Sequence, residues 1–459
     1  MITTTEDGEA VAVAVVDRGT GSGLSAPSAR RLMLWLGLLL VAFGATTFAS
    51  SGGIRQIQGE KTLDLNINMV AANRLVHRKP LYDLDASRKD AVALAGPSMA
   101  GAYRVPTNSF PGPPSTALVH VPFLVFGHET GATVFRWAAA LGMFAAIALV
   151  AASLPVGSRL PAGLVGTGTL LISYAFTTTL LWGQGHEFLM LGFAAGVWGI
   201  RHERWKVAGI GLGIAAVLKL SPVLLLAYLV LRGRREVVKS AVATIVAFTV
   251  AAAVVGRPQD LIVWIRDVVP GISGAALHVV NQSLPATLDR MFGGHPDLGA
   301  TLPIGAWHDL AIPIVVGGVF ALWRLRRNAP LDPLELGALI VLVLLAGPLS
   351  WDHYATWVTL TVVLLADPRR WEGRSRVEVG VLLASLLGAA ALLSPRLVAP
   401  SATKVALHWS LRVTSSPYVG AELLLGGICL WLLRPGARTG PNDPAVGRTT
   451  QEERQVSPR

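Results

Sequence analysis

Apolar runs of near-spanning length recur along most of the chain: 33–50, 115–128, 132–154, 160–181, 186–200, 206–231, 238–255, 303–324, 334–349, 353–366, 377–394 and 419–434. A bilayer core about 30 Å thick takes about 20 apolar residues of helix to cross. The pattern therefore predicts an all-α, polytopic transmembrane helical bundle of roughly 12 spans. Its shorter runs cross only where the bilayer thins or where they pack inside the bundle. Three hydrophilic stretches, 51–114, 256–302 and 395–418, separate the runs and fall on one side under simple alternation. Both termini fall on the other. Residues 1–30 and 436–459 read as disordered cytoplasmic tails around an integral membrane domain at 31–435. The first apolar run follows Arg30 and Arg31 with no cleavage signal, and is expected to stay as an anchor.

The first outer stretch is expected to be partly helical. In 64–76 (DLNINMVAANRLV), Leu65, Met69, Ala72 and Val76 recur at helical spacing. One loop conflicts with the simple count. Arg201, Arg204 and Lys206 would face outward, against the positive-inside bias. Either the bias is broken once, or 160–181 and 206–231 are pairs of short or re-entrant helices. The second run is interrupted at Lys219-Leu220-Ser221-Pro222, where proline removes a donor and disfavours helix in the residue before it.

Composition agrees with a membrane protein. The chain is 52% hydrophobic and 15% charged, against about 25% charged in soluble domains. A length-based division into roughly three soluble domains therefore does not apply. The net charge is +11. Its basic residues cluster between apolar runs, as in Arg324, Arg326 and Arg327, or Arg369, Arg370, Arg374 and Arg376. They read as orientation signals for a plasma-membrane protein, not as a nucleic-acid surface. The one cysteine, Cys429, lies in an apolar run, which excludes a disulfide framework or a cysteine-based metal site.

Ionisable groups in or beside spans are costly, and so are candidates for function. Lys219 is the only charge from Val207 to Leu231, beside the Pro222 break. Asp64 opens the amphipathic segment with Asn66, Asn68, Asn73 and Arg74 close behind. Its carboxylate either serves the helix macrodipole or does chemistry, and both readings stand at this level. Gln184 and His186, in Trp182-Gly183-Gln184-Gly185-His186-Glu187, supply hydrogen-bonding groups of the kind sugar and phosphate oxygens use. Asn281-Gln282-Ser283 with Arg290 lies in the second outer stretch, where a guanidinium suits a phosphate or is an ordinary surface arginine. Pro348-Leu349-Ser350-Trp351-Asp352-His353-Tyr354 joins two runs at the outer face. Trp351 and Tyr354 fit an interfacial belt, whereas Asp352 and His353 do not. His308, after Trp307, is the weakest candidate. No phosphate-cradling loop and no metal-ligand spacing is present beyond a lone Asp83-Leu84-Asp85, so neither cofactor nor metal is expected.

Taken in order, several of these motifs resemble a known pattern. Lys79-Pro80-Leu81-Tyr82-Asp83, Pro113-Pro114, Gly183-Gln184, AGIGLGIAAVLKLSP (208–222), Asn281-Gln282-Ser283 and Pro348-Leu349-Ser350-Trp351-Asp352-His353 are similar to those of the GT-C membrane glycosyltransferases of glycosyltransferase family 87. That family comprises polyprenol-phosphate-mannose-dependent mannosyltransferases. The resemblance runs from about residue 33 to 366. It departs at Arg78-Lys79, where the family often has glycine, at Gly112 in place of tyrosine, and at Tyr354 in place of a second histidine.

The resemblance implies a GT-C fold with an outward active site and inverting transfer of a hexose, mannose first, from a polyprenyl-phosphate donor. The acceptor would be a glycolipid or cell-envelope glycan, and the partners would otherwise be membrane lipids. Asp64 matches the aspartate that serves the family as catalytic base. Lys219, Arg290, His353 and Gln184 are the candidates for the donor phosphate and sugar, with Asn281, His186, Asp352, Trp351 and His308 behind them. A secondary transporter, or a flippase or assembly component for lipid-linked sugars, is the alternative. Convergence of Asp64, Gln184, Lys219, Arg290 and His353 on one outward cavity would separate the readings.

Overall fold

A computed structural model describes residues 23–50, 52–58, 63–97, 110–183, 185–272, 281–292, 309, 311–347, 350–394 and 416–434. The described chain is helical, and its only β pairing is an isolated bridge between Asn281 and Trp351. The helices are α1 (Ala26–Ser50), α2 (Gly53–Gln58), α3 (Leu63–Val76), α4 (Leu84–Ala95), α5 (Pro114–His120), α6 (His128–Ala152), α7 (Val156–Ile172), α8 (Tyr174–Trp182), α9 (His186–Arg201) and α10 (Trp205–Leu218). They continue as α11 (Val223–Leu231), α12 (Arg235–Val255), α13 (Pro258–Val263), α14 (Val269–Ile272), α15 (Leu284–Phe292), α16 (Ala311–Arg326), α17 (Pro333–Ala346), α18 (Val358–Leu365), α19 (Arg376–Leu392) and α20 (Pro417–Leu433).

Among the described residues, α1, α6 and α12 are each long and apolar enough to cross a membrane alone. Helices α7 and α8 pass that test together but bend by 67° at Ser173. Local chemistry sets these limits. Asp332 and Glu335 form a capping box with Pro333 at the start of α17, and Ser375 and Glu378 form another at α19. Gly183 closes α8 in the left-handed region (φ 59°), which costs a residue without Cβ little.

The two ends of the bundle differ in charge. At one end, the Arg234 guanidinium lies 4.5 Å from the Trp205 ring, and Arg232 donates to the carbonyls of Arg326 and Ala329. Arg326 donates to Leu433 O (3.3 Å), and Arg370 pairs with Asp332 (2.7 Å). Leu24 exchanges backbone hydrogen bonds with Gly373 and Arg374. The described start and finish of the chain therefore share this basic end.

Trp205 beside Arg234 also resolves the conflicting loop. Gly209 and Gly213 of α10 pack on Val237 and Ala241 of α12 in parallel register, so Arg201, Arg204 and Lys206 join Arg232–Arg235. The run 206–231 is not one crossing. Helix α10 rises about 21 Å and the chain breaks at Lys219, whose backbone is extended. Helix α11 then returns to the basic end. The run 115–128 also differs from the expected span. It forms α5 and a 3₁₀ helix, Val121–Phe126, and both its ends lie at the opposite end of the bundle. There Trp264 Nε1 donates to Pro111 O (3.1 Å) and His128 Nε2 lies 2.7 Å from Asn66 Oδ1.

Candidate functional site

The end opposite the basic cluster gathers most of the residues that the sequence singles out. Helix α3 seats its inner face there. Leu65, Ile67 and Met69 are buried, and Asp64, in the first turn, is half-buried. Leu65 packs onto Gly183, where an added Cβ would fall 3.0 Å from the Leu65 Cβ. Asp64 is thereby set beside the turn that carries Gln184. Gln184 itself lies outside the described residues.

Not every polar neighbour of Asp64 belongs to the site. Arg74 is buried in a structural clamp, donating from Nε to Pro80 O (2.8 Å) and pairing through Nη1 with Asp90 (2.5 Å). Asp83 caps α4 by accepting from Ala86 N (3.0 Å), so half of the Asp83-Leu84-Asp85 pair has an architectural task. No group of three or more His, Cys, Asp or Glu stands ready for a metal among the described residues.

Two distant motifs are tied together. Asn281 Oδ1 accepts from Ser350 N (3.0 Å) and Ser283 N (3.2 Å), and Gln282 N donates to Ser350 O (2.6 Å). Residues 281–283 are thus fastened to the Ser350-Trp351-Asp352-His353 turn. In that turn Asp352 Oδ1 accepts from His353 N (2.8 Å) and stands 3.2 Å from His353 Nδ1. Both residues are buried. Thr179 Oγ1 of α8 holds the His353 carbonyl (2.8 Å).

Lys219 reaches this turn from the tip of the α10–α11 hairpin. Its Nζ lies 2.7 Å from the centroid of the Tyr354 ring and 5.3 Å from that of Trp357. The Nζ is buried and has no hydrogen-bond partner among the described residues. An unpaired buried ammonium costs several kcal/mol, while a desolvated cation–π contact returns about 2 kcal/mol. The ring contact therefore offsets only part of the cost of keeping a charge there.

Tyr354 is the common neighbour. The His353 ring meets it edge-on at 4.6 Å; burial acts first on its hydroxyl, and Asp64 and Asp352 lie near enough for their charges to add to it. Asp64, Lys219, His353, Asp352 and Asn281 are therefore brought together, with Trp351 bridging to Asn281. Arg290 lies in α15, but its side chain is not among those described, nor is that of His186. His308 lies outside the described residues.

Sequence reasoning missed His120, Arg136 and Glu187. All three are buried, and His120 stacks on Phe135 at 4.6 Å beside the Gly185 turn. Arg136 and Glu187 carry the same signal as Lys219, a charge inside an apolar run. An apolar groove also runs beside the hairpin tip, lined by Pro113, Ala216, Leu220, Ile245, Ala253 and Trp264, with Arg257 on its border. Below that border Asp260 accepts from Leu81 N (3.3 Å). Burial pushes its carboxyl above the usual range, against the pull of the Leu81 N–H, Arg257 and Arg74.

Apolar helices, three of them long and apolar enough to cross a membrane, with a polar cluster at one bundle end and the buried Nζ of Lys219 beside it, mark the class as a membrane protein with a polar site at one end. Residues 110–349, just over half of the sequence, match Glycosyltransferase family 87, and the chain belongs to that family. It is a glycosyltransferase. A curated relative from Mycobacterium tuberculosis (strain CDC 1551 / Oshkosh) is 25% identical over 425 residues, covering 87% of this chain and 88% of its own. That relative is a polyprenol-phosphate-mannose-dependent alpha-(1-2)-phosphatidylinositol pentamannoside mannosyltransferase. The family and this relative support glycosyl transfer that depends on a polyprenyl phosphate.

Proposed function

We propose that the protein transfers a hexose, mannose first, from a polyprenyl-phosphate donor to a glycolipid or cell-envelope glycan acceptor, with inversion, on a GT-C scaffold. Transfer takes place at the outer face of the plasma membrane, with both termini cytoplasmic. The observation that carries this reading is the meeting of Lys219 and His353 at Tyr354, with Asp64 set nearby by the packing of Leu65 on Gly183. The gathering of arginines at the opposite end supports the orientation, because positive residues favour the cytoplasmic side.

In this reading an acceptor hydroxyl oxygen attacks the anomeric carbon and forms the new glycosidic bond. Asp64 takes the hydroxyl proton, a general-base contribution of about 10²–10⁴-fold. The bond from the anomeric carbon to the phosphate oxygen breaks, and the electron pair leaves on polyprenyl phosphate. Lys219 and His353, with Arg290 and Gln184, meet that anion in surroundings poor in water, where each contact is strengthened. Asp352 and Asn281 hold the His353 turn. The groove bordered by Arg257 accommodates the polyprenyl tail. No cofactor or metal takes part in the scheme.

The test is transfer of labelled sugar from a panel of polyprenyl phosphates into membrane extracts, with and without the gene. Gene-dependent labelling of a glycolipid or envelope glycan from the mannose donor is expected. Labelling from none of the donors would contradict the proposal.

A further inference from the structure

We propose that Tyr354 is a positioning residue: the face of its ring, and not its hydroxyl, holds the Lys219 amine toward the donor phosphate. The inference rests on the reading that Lys219 meets that phosphate. It concerns one of the three positions at which the motifs depart from the pattern they resemble, with tyrosine in place of a second histidine.

The seat is rigid and preorganised. Tyr354 stacks on Trp357 at 5.3 Å and 6° between planes, and Phe193 of α9 meets Trp357 edge-on at 5.7 Å. The turn beneath is fixed by Tyr354 N donating to Trp351 O (2.8 Å) and by the two threonines, Thr179 and Thr356, that bond the His353 carbonyl. Lys219 arrives with an extended backbone at the hairpin tip, held by its own N–H to Ala215 O (3.1 Å).

A lysine has four rotatable bonds, and its head group wanders unless something fixes it. Here the contacts that fix Nζ among the described residues are aromatic faces. A ring face attracts a cation without neutralising it. A carboxylate in the same place would pair with the lysine and compete with the incoming phosphate. An aromatic seat therefore aims the amine while leaving its charge for the substrate. The edge of His353 against the same ring places a second donor group beside it.

The experiment uses the full chain in lipid nanodiscs with polyprenyl phosphate mannose, and reads donor KM and kcat separately. Lys219→Ala and Tyr354→Leu are each expected to raise donor KM, Tyr354→Leu by about thirtyfold, the change that a desolvated cation–π contact of about 2 kcal/mol carries. The rise in KM exceeds any change in kcat. Tyr354→Phe brings KM back to within about twofold of the parent. The double variant Lys219→Ala/Tyr354→Leu is no worse than Lys219→Ala alone, because the ring acts only through the amine it holds.

If Tyr354→Leu fails to assemble, Tyr354→Met, which keeps volume without a ring face, carries the same expectation. An unchanged KM in Tyr354→Leu beside an impaired Lys219→Ala overturns the seat alone. So does additivity in the double variant, or a Phe variant as poor as Leu. An unaffected Lys219→Ala overturns both the seat and the phosphate reading beneath it.

Discussion

Leu65 stands where Gly183 would carry a side chain, with its Cβ and one Cδ each 3.0 Å from that position. Asp64 precedes Leu65 and Gln184 follows Gly183, so one close contact sets the spacing of two site-bearing segments. Gly183 also has φ 59°, a region that costs a residue with a side chain about 1–2 kcal/mol. Gly183→Ala is expected to lower transfer tenfold or more by displacing α3, while the protein still elutes as a folded species. Adding Leu65→Ala, which removes two of the three nearest contacts, restores part of the rate. No effect of Gly183→Ala on transfer would count against this spacing role.

Asn281 offers a second test of how the site is assembled. Its Oδ1 serves the N–H groups of Ser283 and Ser350, all of them buried. Losing an acceptor in such a place costs about 1–3 kcal/mol for each stranded group. Asn281→Ala should lower both the thermal midpoint and transfer, and Asn281→Asp, which keeps the oxygen, should lie between it and the parent. Thermal unfolding in detergent alongside donor turnover reads both. Equal losses in the two variants would mean that the amide, not the shared oxygen, matters.

Acid stability is set at the basic end. Asp332 accepts from Arg370 through both oxygens (2.7 and 3.2 Å). Burial pushes its carboxyl up, but the Arg370 charge and hydrogen bonds, with Leu334 N–H, hold it below the usual 3.8. A carboxyl depressed in the fold stabilises above its unfolded pKa, about 3.9, and that contribution fades as pH falls through the folded value. The unfolding midpoint is therefore expected to drop below about pH 4. Asp332→Asn should remove part of that slope while lowering stability near neutrality. An identical slope in the variant would show that the pair is not its source.

The groove beside the hairpin predicts dependence on chain length. Ala253→Trp places a ring among Ile245, Leu220 and Trp264. Donor KM should rise for long polyprenyl phosphates and stay unchanged for a short-chain donor. An equal rise for both would mean that the substitution disturbs the site itself and that the tail lies elsewhere.

The Lys219 break is legible because a lysine and a proline interrupt an otherwise apolar run, and both raise the cost of continuing the helix. The path of the chain is less so. Residues 115–128 have the composition of a span, yet the chain returns to the same end, where His128 meets Asn66. Residues 206–231 hold two opposed elements in the length of one. In alternation these two differences offset each other, and the basic clusters collect at one end as their charge suggests. Asn281 and Ser350 lie 69 residues apart, and no local pattern announces their pairing. Tyr354 reads from sequence as a belt aromatic because its partner, Lys219, reaches it only through the fold.

Asp64 as the base is the most exposed claim, and replacing it with a near-isosteric amide tests it directly. The measurement is single-turnover transfer from polyprenyl phosphate mannose by purified Asp64→Asn, beside the parent and with donor binding measured separately. A rate lower by about 10²–10⁴-fold, with donor affinity retained, is expected. Near-parental transfer by Asp64→Asn would contradict it.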